Sequence, residues 1–256
     1  MKWVLGFPAN NEAGLPGIIG LLLLNDPLTG LPTAILDAAP LTAMRTAAIS
    51  GVAMARWAPP VRGRAVRVAI IGAGVQGMAH VPVVAHVLPG AELSLFDRDP
   101  DRATALAEAA RRIPGIEAAQ VAPSARDAIE GADVVITAAT FVPPPERQVM
   151  TNDWLTPDAL VVPVDYATYC AASVAREAAL FVVDHTAQFL ANRDAGSFDG
   201  YPDPMAMIGE RLDDAAPRPA GRVVATHLGT GLADVVFGHA ILDAATARGL
   251  GTLLPR

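Results

Sequence analysis

The stretch from Val66 to His80, VRVAIIGAGVQGMAH, constrains this chain more than any other. A short apolar run ends in Gly72-Ala73-Gly74-Val75-Gln76-Gly77 and passes directly into a helical pattern. Each glycine of such a turn has its own reason: the first makes the tight turn, the second lets a pyrophosphate approach the backbone, and the third lets helix and strand pack closely. The helix then offers an anion its free N–H groups and the positive end of its dipole. Alone, the turn is a weak signal. Here the next apolar run, Glu92 to Phe96, ends in Asp97, twenty residues beyond Gly77, where a carboxylate can accept from the adenosine ribose hydroxyls. Strand, glycines, helix, strand and acid in that order predict a dinucleotide site on Gly72, Gly74, Gly77 and Asp97. Asp97 repels a 2′-phosphate and so favours NAD, whereas Arg98 beside it suits that phosphate and leaves NADP open.

The remaining chain alternates strands and helices around this unit. Lys2 to Pro8 reads as a strand, Asn10 to Gly17 as a loop, and Ile18 to Leu24 with Leu31 to Asp37 as a hairpin. Leu41 to Trp57 reads as a helix with Thr42 as N-cap, which places Arg45 in the first turn, a cation that opposes the dipole unless an anion sits nearby and otherwise reads as solvated. Pro59-Pro60 breaks it. Helices are expected over Pro100 to Arg112 and Ser124 to Glu130, and strands over Ile116 to Val121, Ala132 to Thr140 and Ala159 to Val164. Ala179 to Val183 reads as the last strand, followed by helices over Thr186 to Asn192, Met205 to Asp213 and Leu232 to Arg248. This spacing implies an α/β fold, a parallel sheet wound on both faces, with ligands at the carboxyl ends of the strands, where Thr140 and Asp165 fall.

Composition excludes several partners. A net charge of −7 without a basic cluster argues against nucleic acid and anionic membranes. No apolar run approaches the eighteen or so residues that span a bilayer, and nothing resembles a cleavable leader, so the expectation is a soluble, cytoplasmic protein. The single cysteine, Cys170, suits a reducing compartment and reads as a small apolar filler. His80, His86, His185, His227 and His239 have no ligand spacing, so no metal is expected. Lys2 is the only lysine, either an accident or a position that wants an ammonium.

Together these pieces resemble the ornithine cyclodeaminase and mu-crystallin superfamily. The resemblance is carried by Lys2-Trp3-Val4 with Pro8 and Asn10, Gly14-Leu15-Pro16, Thr29-Gly30, Leu41-Thr42, Arg45-Thr46-Ala47-Ala48, the GAGVQG turn, Gly229-Thr230-Gly231 with Asp234, and Gly249-Leu250-Gly251. It implies a Rossmann-type doubly wound sheet inserted into a smaller α+β domain for substrate binding and dimerisation. The expected division is residues 1–59 with 222–256 for the smaller domain and 60–221 for the dinucleotide domain. The chain as given begins at the family's lysine strand, so a member short at its N-terminus is implied.

The resemblance also assigns roles. Lys2 and Arg45 would hold a substrate carboxylate, with Thr230 near the substrate; Asp165 would be the acid/base group; Val75, Gln76, Asp97 and Thr140 would line the dinucleotide. The residue types suit the chemistry, because a planar guanidinium clamps a carboxylate and a nearby carboxyl group moves the proton that accompanies hydride transfer. The implied activity is NAD(P)-dependent hydride transfer at the C–N carbon of an amino or imino acid, as cyclodeaminase, dehydrogenase or ketimine reductase, in a homodimer. A dinucleotide-dependent binding protein without turnover is the other reading. Val162-Pro163-Val164-Asp165-Tyr166-Ala167 replaces the family's commoner Gly-rich turn, so Tyr166 and Tyr169 are expected to reshape the pocket.

Overall fold

A computed structural model describes residues 1–7, 10, 13–212 and 216–254. Pro8 and Asp213, which end a strand and a helix expected above, and part of the Asn10–Gly17 loop lie outside the described residues. The chain forms two compact units, residues 1–45 with 229–256 and residues 46–228. The boundaries fall within a helix and just past a strand, and the expected division points at 59/60 and 221/222 lie inside the larger unit.

In the smaller unit β1 (Lys2–Gly6), β2 (Ile18–Asn25) and β3 (Pro32–Asp37) form an antiparallel sheet in that order, Trp3 opposite Leu21 and Leu23 opposite Ile35. Side chains alternate between its faces. Leu22 and Leu24 pack with Leu41 and with Phe237 and Ile241 of α7 (Gly231–Ala247), whereas Trp3, Leu5, Ile19, Leu21 and Ile35 point outward and exposed.

The helix α1 (Ala38–Trp57) starts three residues before its expected position. Asp37, not Thr42, satisfies its first turn: Asp37 Oδ1 accepts from the Ala39 N–H at 2.9 Å. Thr42 sits inside, its hydroxyl donating back to Ala38 O at 2.6 Å. Arg45 is thereby moved out of the first turn, and it is buried rather than solvated.

The larger unit is built on a parallel sheet. Its strands are β4 (Arg67–Ile71), β5 (Ala91–Phe96), β6 (Ile116–Val121), β7 (Val134–Thr137), β8 (Leu160–Pro163), β9 (Leu180–Val183), β10 (Ala206–Met207) and β11 (Val223–Thr226). The spatial order is β6-β5-β4-β7-β8-β11-β9-β10, so the direction of winding reverses between β4 and β7. Two apolar clusters cover its faces, one including Met54 and Trp57 of α1, the other Phe181, Phe189, Phe198 and Tyr201. The helices α2 (Val75–Val87), α3 (Pro100–Ala110), α4 (Ala125–Ile129), α5 (Ala172–Arg176) and α6 (Thr186–Asp194) connect the strands. Two expectations fail here. Ala179–Val183 is not the last strand, because Val223–Thr226 returns to pair between β8 and β9. Met205–Asp213 is no α-helix; it holds the short β10 and a 3₁₀ turn at Gly209–Arg211.

Three polar side chains tie α1, α2 and the end of β11 together inside this unit. Ser50 Oγ lies 2.8 Å from His80 Nε2 and 2.9 Å from His227 Nε2, and His80 Nδ1 lies 2.7 Å from Gln76 O. A carbonyl only accepts, so His80 Nδ1 carries the proton and its bare Nε2 accepts from Ser50, which in turn accepts from His227. Burial pushes the His80 imidazole down to about 4, keeping it neutral.

Candidate active site

The turn expected to cradle a dinucleotide lies where β4 gives way to α2. Gly72 has φ +103°, and a Cβ there would lie 2.3 Å from Ala138 O; at Gly77 a Cβ would meet Gly72 O at 2.1 Å. Both positions exclude any larger residue. Gly74 is the opposite case, with nothing within 4 Å of the place a Cβ would take. The first turn of α2 has no side-chain cap, so its N–H groups remain available to an anion.

This turn opens on a cavity of about 470 Å³ whose wall includes Gly72, Gly74, Asp97, Arg98, Thr140 and Tyr169. Two closed glycines, one open one and uncapped N–H groups over such a cavity fit a dinucleotide pyrophosphate. Val75, Gln76 and Gly77 belong to the first turn of α2 rather than to the cavity wall. Asp97 ties the turn to the end of β5: Oδ2 accepts from the Ala73 N–H at 2.7 Å and Oδ1 from the Asp99 N–H at 2.9 Å. Each oxygen keeps a further lone pair for a ribose hydroxyl. Arg102 pairs with Asp99 at 3.4 Å, while Arg98 makes no ion pair among the described residues.

Asp165 follows β8 at the same edge of the sheet. Its side chain is buried, with Oδ1 accepting from Thr137 Oγ at 2.7 Å and Oδ2 from the Ala139 N–H at 3.0 Å. Burial pushes its carboxyl up to about 7, against hydrogen bonds from Thr137 and Ala139 that favour the ionised form. A group balanced there can give or take a proton at neutral pH. Tyr166, next in the chain, is held at φ +58°. Thr137 and Ala139 went unnoticed in the sequence because hydrogen-bond partners 28 and 26 residues away leave no periodic trace.

In the smaller unit Lys2 and Arg45 converge on one carboxylate, that of Asp234. Lys2 Nζ lies 2.7 Å and Arg45 Nε 3.3 Å from Asp234 Oδ1, and Lys2 Nζ also donates to Thr42 Oγ at 3.4 Å. Gly229, at φ +102°, lets the guanidinium pass beneath the backbone; a Cβ there would lie 2.2 Å from Arg45 Nη1. Two cations share one anion, so the cluster keeps a net positive charge for a further carboxylate. Thr230, the N-cap residue of α7, uses no side-chain oxygen in capping. The importance of Asp234 had one visible signal, a lone acid within the apolar run from Gly231 to Ile241.

Comparison with known proteins places these features in context. The model of the ornithine cyclodeaminase/mu-crystallin family matches residues 1–196. The nodulation efficiency protein NfeD of Rhizobium meliloti is 35% identical over 99% of this chain and 78% of its own length. The ketimine reductase mu-crystallin of Mus musculus is 29% identical over 62% of this chain, an alignment spanning 47% of that relative. Among solved structures, Δ1-pyrroline-2-carboxylate reductase of Thermococcus litoralis, in complex with NADH and L-proline, superposes with a TM-score of 0.82 at 27% identity, covering 99% of this chain and 80% of that one.

Proposed function

Because the chain belongs to the ornithine cyclodeaminase/mu-crystallin family, we propose that it is an NAD(P)-dependent enzyme acting at the α C–N bond of an amino or imino acid. The observation that carries this reading is the common cavity. The wall that begins at Gly72, Gly74 and Asp97 ends at Thr168 and Tyr169, three and four residues past the buried carboxyl of Asp165. A bound nicotinamide dinucleotide supplies the hydride donor or acceptor. Gly74 and the first turn of α2 hold its pyrophosphate, Asp97 its adenosine ribose, and Thr140 the wall beyond. Asp97 makes NAD the preferred form, with Arg98 the group through which NADP would bind. Lys2 and Arg45 take the substrate carboxylate, oriented by Asp234, with Thr230 beside the substrate. Asp165 moves the proton, to or from the reacting nitrogen or an attacking water.

One observation favours a binding protein without turnover: Asp165 is only 2% exposed, and both its oxygens are engaged. Nicotinamide absorbance and ammonia release separate the readings, measured across α-amino acids with NAD or NADP and across keto acids plus amines with the reduced forms. Net cofactor turnover identifies a dehydrogenase or imine reductase; ammonia without net cofactor change identifies a cyclodeaminase. Silence in both, with cofactor bound, overturns the enzyme.

The assembly proposed is a homodimer in the cytoplasm, where a lone buried thiol such as Cys170 stays reduced. The outward face of β1–β3 supports the dimer, since Trp3 is 65% and Ile35 58% exposed in a contiguous apolar face. Analytical ultracentrifugation at micromolar concentration is expected to give a dimer, and Leu21→Glu, on that face, a monomer. A wild-type monomer rejects the assembly.

A further inference from the structure

Next to the dinucleotide cavity, and sharing Thr168 with it, lies a second one of about 270 Å³ lined by Phe141, Arg147, Tyr166, Ala167, Thr168 and Ser197. Tyr166 to Thr168 follow Asp165 directly, and Phe141 follows Thr140, so both walls are continuations of the two loops that carry the proposed chemistry. The volume falls just below the ~300 Å³ at which pockets for whole small molecules begin, the scale of a substrate's side chain.

The walls are fixed in place. The rings of Phe141 and Tyr166 are 5.2 Å apart, and Tyr166 lies 5.2 Å from Phe198, itself buried in the core. Arg147 Nε donates to Val142 O and Nη1 to Gly196 O, each at 2.9 Å, which pins the guanidinium while Nη2 has no hydrogen-bond partner among the described residues. No described carboxylate lies within ion-pair distance of it, although Glu146 is its neighbour in sequence. Among the described residues only Gln148 (φ 62°) and Tyr166 (φ 58°) are non-glycine residues with positive φ; Tyr166 lines this cavity and Gln148 follows Arg147 in the chain. Gln148 is clamped there, its amide donating to Asp199 O and accepting from the Ala172 N–H, each at 2.8 Å. Backbone held in this region persists where its surroundings over-determine it, as they do around binding sites.

We infer that this cavity receives the substrate side chain and that Arg147 selects one ending in a carboxylate, so that the preferred substrates are dicarboxylic amino or imino acids. The inference rests on the proposed amino or imino acid chemistry and adds the side chain to it. The aromatic walls suit a short methylene segment, and the pre-positioned guanidinium, with the Thr168 and Ser197 hydroxyls, suits its terminal carboxylate. An uncharged side chain would leave that half-buried guanidinium without a counter-charge.

The test compares oxaloacetate and 2-oxoglutarate with pyruvate and 2-oxobutyrate, each with ammonia and reduced dinucleotide, in wild type, Arg147→Met and Arg147→Lys. Wild type is expected to favour the dicarboxylates in kcat/KM by about 100-fold or more. Arg147→Met should lose that ratio while keeping turnover of the monocarboxylates, and Arg147→Lys should recover part of it. An equal loss on both classes would mark Arg147 as a structural pin and overturn the inference, as would a wild type indifferent to the second carboxylate. A second readout needs no turnover. With dinucleotide bound, succinate should raise the melting temperature of wild type more than propionate does, and Arg147→Met should abolish the difference. Should no amino or imino acid turn over, the proposed chemistry fails, yet the succinate shift and its loss in Arg147→Met would still uphold the side-chain site; absence of that shift rejects it.

Discussion

Asp165→Asn is expected to lower turnover by about 10²- to 10⁴-fold, the usual contribution of a positioned acid or base, while leaving dinucleotide binding intact. The amide matches the carboxylate in shape. Its oxygen can accept from the Ala139 N–H and its NH₂ can donate to Thr137 Oγ, so the local packing survives and only proton exchange is lost. Dinucleotide titration by fluorescence, run beside the activity assay, separates the two effects. Undiminished turnover would remove Asp165 from the mechanism.

The pH dependence follows from the same burial. With Asp165 as the proposed acid/base group, the reductive rate should fall as pH rises through about 7 and the oxidative rate should rise over the same interval. The effect on folding has a definite sign. The carboxyl is raised in the folded chain from its ordinary value near 3.8, so the folded state holds a proton that the unfolded state releases. Its contribution to stability is full below about 3.8 and is lost as pH rises through about 7. Asp165→Asn should flatten the urea-midpoint profile across that window.

Asp234→Ala is expected to cost roughly 3–5 kcal/mol, the scale for removing one partner of a buried ion pair. Lys2 and Arg45 share Asp234 Oδ1, and the side chains of Arg45 and Asp234 are each 9% exposed. Without Asp234 the guanidinium, confined beneath Gly229, has no room to swing out to water. Urea denaturation gives the loss directly, and a change below about 1 kcal/mol would show that the three groups are not held as a unit. Substrate KM should rise as well, because two mutually repelling cations no longer hold one position for a carboxylate.

How much of this was readable in the sequence depended on the range of the interaction. The Gly72–Gly77 turn, Asp97 and the β2–β3 hairpin were legible because each is set by residues close in the chain. The start of α1 was misplaced because Asp37 and Thr42 are both cap-type residues, and only backbone geometry shows which N–H groups each one meets. The three-residue shift takes Arg45 out of the first turn, where it reads as a solvated cation, and the fold buries it beside Asp234. Val223–Thr226 leaves little trace because three apolar residues and a threonine after a Pro-rich link carry little signal, and their partners lie some 40 to 60 residues back in β9 and β8. Asp234 belongs to a motif visible in the sequence, yet its partner Lys2 stands 232 positions away. Arg147 lies in a Pro-rich loop without periodicity, so nothing local distinguished it from a surface arginine.

The Ser50–His80–His227 chain has a consequence for how this sequence can drift over time. Its hydrogen bonds run one way, from His227 through Ser50 to His80 and on to the Gln76 carbonyl. Replacing Ser50 by alanine takes a hydrogen bond from each of two buried imidazoles, and replacing either imidazole by leucine leaves the hydroxyl one partner in place of two. A joint exchange of all three for apolar residues of matching volume removes both ends of each of these two bonds at once. Among related sequences these positions should therefore change together or not at all, a coupled inheritance joining residues 30 and 177 positions apart.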